Sequence, residues 1–111
     1  MEEEFNREIN ESMSLTSEAR LKRLRVAPRL PAKTTITVVN YKRNPDVVAE
    51  VLSRANGKCE GCGADAPFIR KSDNTPYLEV HHIRQLAKGG EDTVENAIAL
   101  CPNCHREKHF G

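Results

Sequence analysis

The sequence predicts an α+β fold in which a small core of two strands and a helix follows an N-terminal helical arm. Three observations lead to this prediction. Apolar residues recur at helical spacing near the N-terminus, two short apolar runs in the C-terminal half have strand character, and four cysteines form two C-x-x-C pairs. With 111 residues, 5% of them aromatic, the chain has few large apolar side chains, so a structural metal is an expected source of stability.

The N-terminal residues predict two short helices. Phe5, Ile9 and Met13 lie at i, i+4 and i+8, on one face of a helix over residues 2–13. A second helix is predicted to begin near Ser17 and to end before the prolines that follow it, because proline cannot continue a helix. Two interpretations stay open: a weakly ordered arm, or an arm that packs on a partner or on a second copy of the chain as a homodimer.

The middle of the chain predicts a strand and then a helix. Residues 34–39 are β-branched throughout, which is typical of a strand. Asn44 and Pro45 suit the N-cap and the first position of a helix, and Gly57 stands where a C-terminal cap belongs. Between them the apolar stripe that the helix would bury consists of Val47, Val48, Val51, Leu52 and Ala55.

The C-terminal half predicts the order loop, strand, strand, helix. Residues 59–76 are rich in loop-forming residues, and residues 77–83 and 97–100 have strand character. Gly and Asp at residues 88–92 are typical of a turn between the two strands. Pro102 suits the first turn of a final helix that runs towards the C-terminus.

The net charge of +1 conceals a basic belt at residues 21–43. This belt has seven bases and no acid, whereas residues 1–20 have two bases and six acids and residues 44–111 have eight bases and ten acids. The belt is a candidate for phosphate contacts, and a solvated linker is the open alternative. The acidic N-terminus does not resemble a signal peptide, and no apolar run is long enough to span a membrane, so we expect a cytoplasmic protein without membrane contact.

The two cysteine pairs predict a structural zinc site. Cys59 and Cys62 form one C-x-x-C pair and Cys101 and Cys104 form the other, separated by residues 63–100. A two-residue gap lets both sulfurs of a pair face one cation, so two pairs complete a closed tetrahedral S4 site. In a reducing compartment, metal binding is also a better explanation than structural disulfides.

Two other interpretations of these cysteines fit the sequence less well. A thioredoxin-like redox pair would need a βαβ pattern, which surrounds neither pair, and it would leave the second pair unexplained. Residues 101–105 also match the C-x-x-C-H pattern of haem attachment, but haem attachment of that type expects an export signal.

All four histidines fall in the last 31 residues of the chain. His81 and His82 are consecutive on a predicted strand, so their side chains should point to opposite faces and should not chelate one metal together. A division of roles follows, in which one histidine binds a metal and the other does chemistry beside it. His105 and His109 are four residues apart on a predicted helix, a spacing that suits two ligands of one metal.

The segments LEVHHI and LAKGGEDTVENAIALCPNCHREKH resemble the motif of the HNH endonucleases, in the zinc-stabilised branch that is similar to the McrA-like restriction nucleases. The three letters of the motif correspond to His82, Asn96 and His105. The resemblance extends from about residue 41 to residue 111 and implies the ββα-metal, or His-Me finger, fold. We therefore divide the chain into an arm of residues 1–33 and a nuclease domain of residues 34–111, with its motif core at 77–110.

The resemblance implies a role for each matching residue. His82 would be the general base, and Asn96 would hold the base or its strand in register. His81 and His105 would bind a catalytic divalent cation, with His109 as a third ligand found in part of the family. Many relatives have Asp where this chain has His81, and the extra imidazole leaves the cation open among Mg²⁺, Mn²⁺, Ni²⁺, Co²⁺ and Zn²⁺.

The implied reaction is the hydrolysis of a DNA phosphodiester bond to a 5′-phosphate and a 3′-hydroxyl. A neutral imidazole can accept the proton of the attacking water near pH 7. One site per chain predicts a nick in one strand, and the absence of a visible recognition domain predicts low sequence specificity. The candidates for phosphate contacts near the motif are Arg84, Lys88, Arg106 and Lys108.

Two alternatives to a free-standing nuclease remain open. The first is a zinc module that binds nucleic acid or protein without catalysis, although such a module has no need of a base beside a metal. The second is an auxiliary subunit, in which the N-terminal arm recruits the same nuclease to a phage packaging or restriction complex.

Overall fold

The computed structural model describes residues 2–111. The chain divides into two compact units, one up to Val38 and the other from Val39 to Gly111. No helix among the described residues has the length and apolar character that crossing a membrane requires.

The first unit contains the two predicted helices, α1 (Glu2–Met13) and α2 (Ser17–Val26). Thr16 caps α2, because its side-chain oxygen accepts a hydrogen bond from the backbone N–H of Ala19. None of residues 3–38 is buried. Both helices are therefore confirmed, and they have no buried core of their own.

The strand predicted over residues 34–39 is wrong, because residues 31–44 have no regular secondary structure. The sheet of the described chain has two strands, which pair with each other and not with this segment. β-branched residues favour a strand only where their side chains can pack on a pleated, half-buried surface. Here Ile36 and Val38 are more than half exposed, so the segment gains nothing from strand geometry.

The second unit begins with α3 (Pro45–Ala55), as predicted. Asn44 caps its start by accepting a hydrogen bond from the backbone N–H of Asp46, and Pro45 occupies the first turn. The left-handed residue that ends the helix is Asn56, with φ 51°, one position before the predicted Gly57. Gly57 follows with φ 80°, so the chain turns at two consecutive left-handed residues.

Two antiparallel strands and a helix complete the second unit, and they confirm the predicted order. Strand β1 (Glu79–His82) pairs with β2 (Ala97–Leu100), and His82 lies opposite Ala97. Strand β1 is shorter than the predicted residues 77–83. Helix α4 (Pro102–Phe110) follows β2 directly.

The core of the second unit is small and lies between α3 and the strands. Its buried members come from one face of α3, from β2 and from the loops that flank the sheet: Val47, Val51, Ala55, Cys59, Leu78, Ala97, Ala99 and Leu100.

An ion pair joins α3, the loop that follows it and β2. The Arg54 guanidinium donates two hydrogen bonds of 2.8 Å to the Glu60 carboxylate, which in turn accepts from the backbone N–H of Ala99. The first cysteine pair is thereby tied to β2.

Candidate metal centres and catalytic histidine

The four cysteines meet at one point of the second unit. Cys59 and Cys62 lie in the loop after α3, and Cys101 and Cys104 lie at the start of α4. Their four sulfur atoms are within 4.8 Å of one another, and all four thiols are free. The structure therefore places the cysteines where they can bind one metal ion, as the sequence predicted.

The electrostatics of the cysteine cluster suit a cation. Burial alone would raise the pKa of Cys59, but hydrogen bonds from the backbone N–H groups of Cys101, Cys62 and Gly61 lower it to about 6. Hydrogen bonds with the neighbouring cysteine sulfurs, chiefly that of Cys101, raise the pKa of Cys104 to about 12. Four thiols this close cannot all ionise unless a positive charge lies among them. The cluster thus fits a thiolate-binding metal.

Three of the four histidines form a second cluster. The ring nitrogens of His81 on β1 and of His105 and His109 on α4 lie within 4.8 Å of one another. The Nε2 atoms of His105 and His109 are 3.1 Å apart, because residues four apart share one face of a helix. The resemblance to the HNH motif implied this trio, and the structure brings its members together.

A carboxylate orients one member of the histidine cluster. The Nδ1 atom of His105 is 2.8 Å from Oε1 of Glu79, and the same carboxylate accepts the hydroxyl hydrogen of Tyr77. These two hydrogen bonds, that of Tyr77 first, hold the pKa of Glu79 below its ordinary value. An ionised Glu79 fixes the proton of His105 on Nδ1 and leaves Nε2 as the ligand atom. Sequence reasoning missed Glu79, although its position two residues before His81 puts both on one strand face.

The protonation of His81 also suits a ligand. Burial and the neighbouring imidazoles of His105 and His109 lower the pKa of His81, so its neutral form, with a free lone pair, dominates at neutral pH. A cleft of about 290 Å³ opens beside the three rings. Three imidazoles that leave one side open can bind a metal ion and leave a coordination position free.

His82 lies outside the histidine cluster and has its own partner. Its Nε2 atom is 2.9 Å from Oδ1 of Asp92, and only 9% of the side chain is exposed. The other carboxylate oxygen of Asp92 accepts a hydrogen bond of 2.6 Å from the backbone N–H of Asn44. The hydrogen bond from Asn44 and then that from His82 hold the pKa of Asp92 below its ordinary value. Neighbouring His81 and His82 therefore have separate partners, as their alternation on a strand predicted.

The side chain of Asn96 forms hydrogen bonds with the backbone of the segment that follows β1. Its side-chain oxygen accepts from the backbone N–H of Arg84, and its Nδ2 donates to the backbone oxygens of Arg84 and Glu91. The turn it closes needs a glycine, because a Cβ atom at Gly90 would lie 1.9 Å from the backbone oxygen of Arg84. The amide thus links the end of β1 to the turn that carries Asp92.

The four predicted phosphate contacts are exposed side chains of the second unit: Arg84, Lys88, Arg106 and Lys108. The Nε atom of Arg84 donates to the backbone oxygen of Lys88, and the Arg106 guanidinium lies 5.8 Å from the ring centre of Phe110. A larger cavity of about 1000 Å³, which shares His105 and His109 with the cleft, has arginines in its lining as well: Arg43, Arg70 and Arg106.

Comparison with known proteins finds a family model and two restriction enzymes that match this chain. The family model described as HNH endonuclease matches residues 59–111. The type IV methyl-directed restriction enzyme EcoKMcrA of Escherichia coli (strain K12) is 54% identical over 70 residues, which are 63% of this chain. The solved structure of the type IV phosphorothioation-dependent restriction endonuclease ScoMcrA matches 62% of this chain with 41% identity and a TM-score of 0.55.

These relatives are much longer than the matched region. The match covers 25% of the length of EcoKMcrA and 13% of the ScoMcrA chain. The structural likeness confirms the α+β fold that the sequence predicted, and the family match and the identity confirm the resemblance stated from the motif.

Proposed function

We propose that the protein is a metal-dependent HNH endonuclease that hydrolyses phosphodiester bonds of DNA, because residues 59–111 match the family model described as HNH endonuclease and the chain is similar to two restriction endonucleases. One observation carries the proposal. Three imidazoles converge beside an open cleft, while a fourth, His82, lies next to them on β1 without joining them. This arrangement separates a cation site from a base, and phosphodiester hydrolysis needs both.

The histidine cluster is the proposed site of the catalytic cation, with His81, His105 and His109 as its ligands. When bound, the cation would stabilise the negative charge that builds on phosphate oxygens during hydrolysis. Imidazole ligands suit Mn²⁺, Ni²⁺, Co²⁺ or Zn²⁺ better than Mg²⁺, which prefers oxygen. Glu79 supports the site by keeping Nε2 of His105 directed to the cluster.

His82 is the proposed general base. It would accept a proton from the water molecule whose oxygen forms the new bond to phosphorus. The bond from phosphorus to the 3′ oxygen would then break, and that oxygen would take a proton from solvent to become a hydroxyl. Asn96 would hold the turn beside His82 in place through its hydrogen bonds to Arg84 and Glu91.

The cysteine cluster is the proposed site of a structural Zn²⁺. Four sulfur ligands saturate a tetrahedral ion and leave no position for substrate, so this ion would stabilise the fold without taking part in the reaction. The stability that this ion would add matters because few hydrophobic residues are buried in the core.

The proposed substrate contacts are four exposed cations that follow β1 or lie on α4: Arg84, Lys88, Arg106 and Lys108. Such residues would bind phosphates and would give affinity without sequence preference.

We also propose that each chain nicks one strand of DNA with low sequence specificity. Where both strands are cut, the arm of residues 1–33 would join two copies of the chain. The names of the two relatives mention methyl-directed and phosphorothioation-dependent restriction, so methylated DNA and phosphorothioated DNA are substrates to test for this chain.

A supercoiled-plasmid assay tests this function. The protein would be incubated with Mg²⁺, Mn²⁺, Ni²⁺, Co²⁺ or Zn²⁺ and with a chelator, and open circles would be measured over time. We expect cation-dependent nicking that His82→Ala reduces at least 100-fold while Lys71→Ala, an exposed cation outside the proposed contacts, leaves it unchanged. Cleavage that survives the chelator or His82→Ala would contradict the proposal.

A further inference from the structure

The carboxylate of Asp92 binds two donors that come from different parts of the chain. One oxygen faces Nε2 of His82 at 2.9 Å, and the other accepts from the backbone N–H of Asn44 at 2.6 Å. The side chain is 22% exposed, and His82 is 9% exposed, so water competes little for the bond between them. Asp92 is therefore held firmly against one specific nitrogen of the imidazole.

The ionised state of Asp92 decides which nitrogen of His82 carries the proton. Two hydrogen-bond donors and the nearby charge of Arg43 favour the carboxylate. A carboxylate only accepts hydrogen bonds, so the nitrogen that faces it must be protonated. A neutral His82 then has its proton on Nε2 and its lone pair on Nδ1.

The turn that carries Asp92 is itself fixed. Gly89 has φ 84°, which favours glycine, and Gly90 leaves no space for a Cβ atom beside the backbone of Arg84. The side-chain amide of Asn96 donates to the backbone oxygen of Glu91, the residue before Asp92. These contacts limit the positions that the Asp92 carboxylate can take.

We propose that Asp92 is the positioning residue of His82: its carboxylate keeps the proton on Nε2, so that Nδ1 is the nitrogen that takes the proton of the attacking water. The catalytic half of this inference rests on the proposed nuclease function. Its structural half, the choice of tautomer, does not. A carboxylate that orients a histidine base also stabilises the imidazolium formed when the base takes up a proton.

Asp92→Asn is the decisive variant. The amide oxygen can still accept from Asn44, which turns the amide NH₂ group towards Nε2 of His82. Nε2 must then accept a hydrogen bond, so the proton moves to Nδ1 and the base loses its lone pair on that side. We expect the turnover number for nicking to fall by about two to four orders of magnitude, with little change in KM for the plasmid or in the dissociation constant of Mn²⁺. Glu91→Gln, a change of the adjacent exposed carboxylate, is the matched control and should behave as wild type.

The tautomer can be measured directly by long-range ¹H–¹⁵N correlation spectra of His82. We expect a protonated Nε2 in the wild type and in Glu91→Gln, and a protonated Nδ1 in Asp92→Asn. Thermal unfolding of each variant separates a change at His82 from a loss of fold. Wild-type turnover in Asp92→Asn, or a protonated Nδ1 in the wild type, would overturn the proposal. If no cation supports cleavage by the wild type, the nuclease function fails, and the spectra still decide the role of Asp92.

Discussion

The cysteine cluster and the histidine cluster use the same short helix for opposite purposes. Helix α4 follows Cys101 and carries Cys104 at its first turn, and it carries His105 and His109 immediately afterwards. The cysteine cluster offers four ligands and is closed, whereas the histidine cluster offers three and borders a cleft. In the proposed function, the four-ligand cysteine end of the helix stabilises the fold, and the three-ligand histidine end is available for chemistry.

The two clusters also differ in what holds their ligands. Backbone N–H groups of Gly61, Cys62 and Cys104 donate to cysteine sulfurs, so the two C-x-x-C pairs depend on local chain geometry. Side-chain carboxylates hold the histidines: Glu79 faces His105 and Asp92 faces His82. A closed site can thus be built from two local turns, but the open site depends on contacts between distant residues.

The largest expected difference between the clusters appears when each loses one ligand. Cys101→Ser should unfold residues 39–111, because a structural zinc contributes about 10–16 kcal/mol to folding and a domain's net stability is about 5–15 kcal/mol. His109→Ala removes an exposed ring and should change the free energy of unfolding by about 0.5 kcal/mol or less, while it weakens Mn²⁺ binding. Circular dichroism melting curves and calorimetric metal titrations compare the two. Equal melting temperatures would show that the cysteine cluster is not structural.

A smaller effect should follow when the carboxylate behind His105 loses its charge. Glu79→Gln should weaken the affinity of the histidine cluster for Mn²⁺ or Ni²⁺ by about 10- to 100-fold, because the ligand is then less basic and less firmly oriented. Calorimetric titration measures the change, and Glu107→Gln, an exposed carboxylate on the same helix, is the control. Unchanged affinity in Glu79→Gln would mean that the hydrogen bond does not support the ligand.

The smallest expected effect concerns the ion pair that ties the first cysteine pair to β2. The hydrogen bonds from Arg54 hold the pKa of Glu60 below its ordinary value of 4.5. Because the folded-state pKa is the lower one, the stabilisation is complete above about pH 4.5 and is lost as the pH falls through the folded-state pKa. Because the Arg54 side chain is 42% exposed, Glu60→Gln should cost only about 1 kcal/mol at pH 7 and less as the pH falls below 4.5.

Denaturant unfolding of wild type and Glu60→Gln between pH 3 and pH 7 measures this difference. The matched control is Asp65→Asn, which removes the acid of a fully exposed pair with Lys58 and should leave stability close to wild type. A difference between wild type and Glu60→Gln that does not change with pH would contradict the assigned role of the ion pair.

Local spacing predicted the C-x-x-C pairs and the i, i+4 histidines, and joins between distant residues could be predicted only where known site chemistry or a family motif supplied them. The need for four zinc ligands joined the two cysteine pairs, and the resemblance to the HNH motif added His81 to His105 and His109. The carboxylates were missed because Asp92 lies ten residues from His82 and Glu79 lies 26 residues from His105. Nothing in the local pattern joins these residues before the strands pair.

The wrong strand illustrates the same limit. Residues 34–39 have strong strand character, but a strand also needs an edge with which to pair. The described sheet consists of β1 and β2 alone, and residues 31–44 remain without regular structure. Helices α1 to α4 were predictable since their hydrogen bonds lie within each segment and their caps are local.

A chelator challenge tests the separation of the two clusters most directly. The zinc-loaded protein would be treated briefly with a mild chelator, and its metal content, melting temperature and plasmid nicking would be measured on the same sample. The account predicts that one zinc per chain and the melting temperature are retained, while nicking is lost and returns when Mn²⁺ is added. Loss of nicking together with unfolding and loss of all zinc, or nicking that persists without an exchangeable cation, would contradict it.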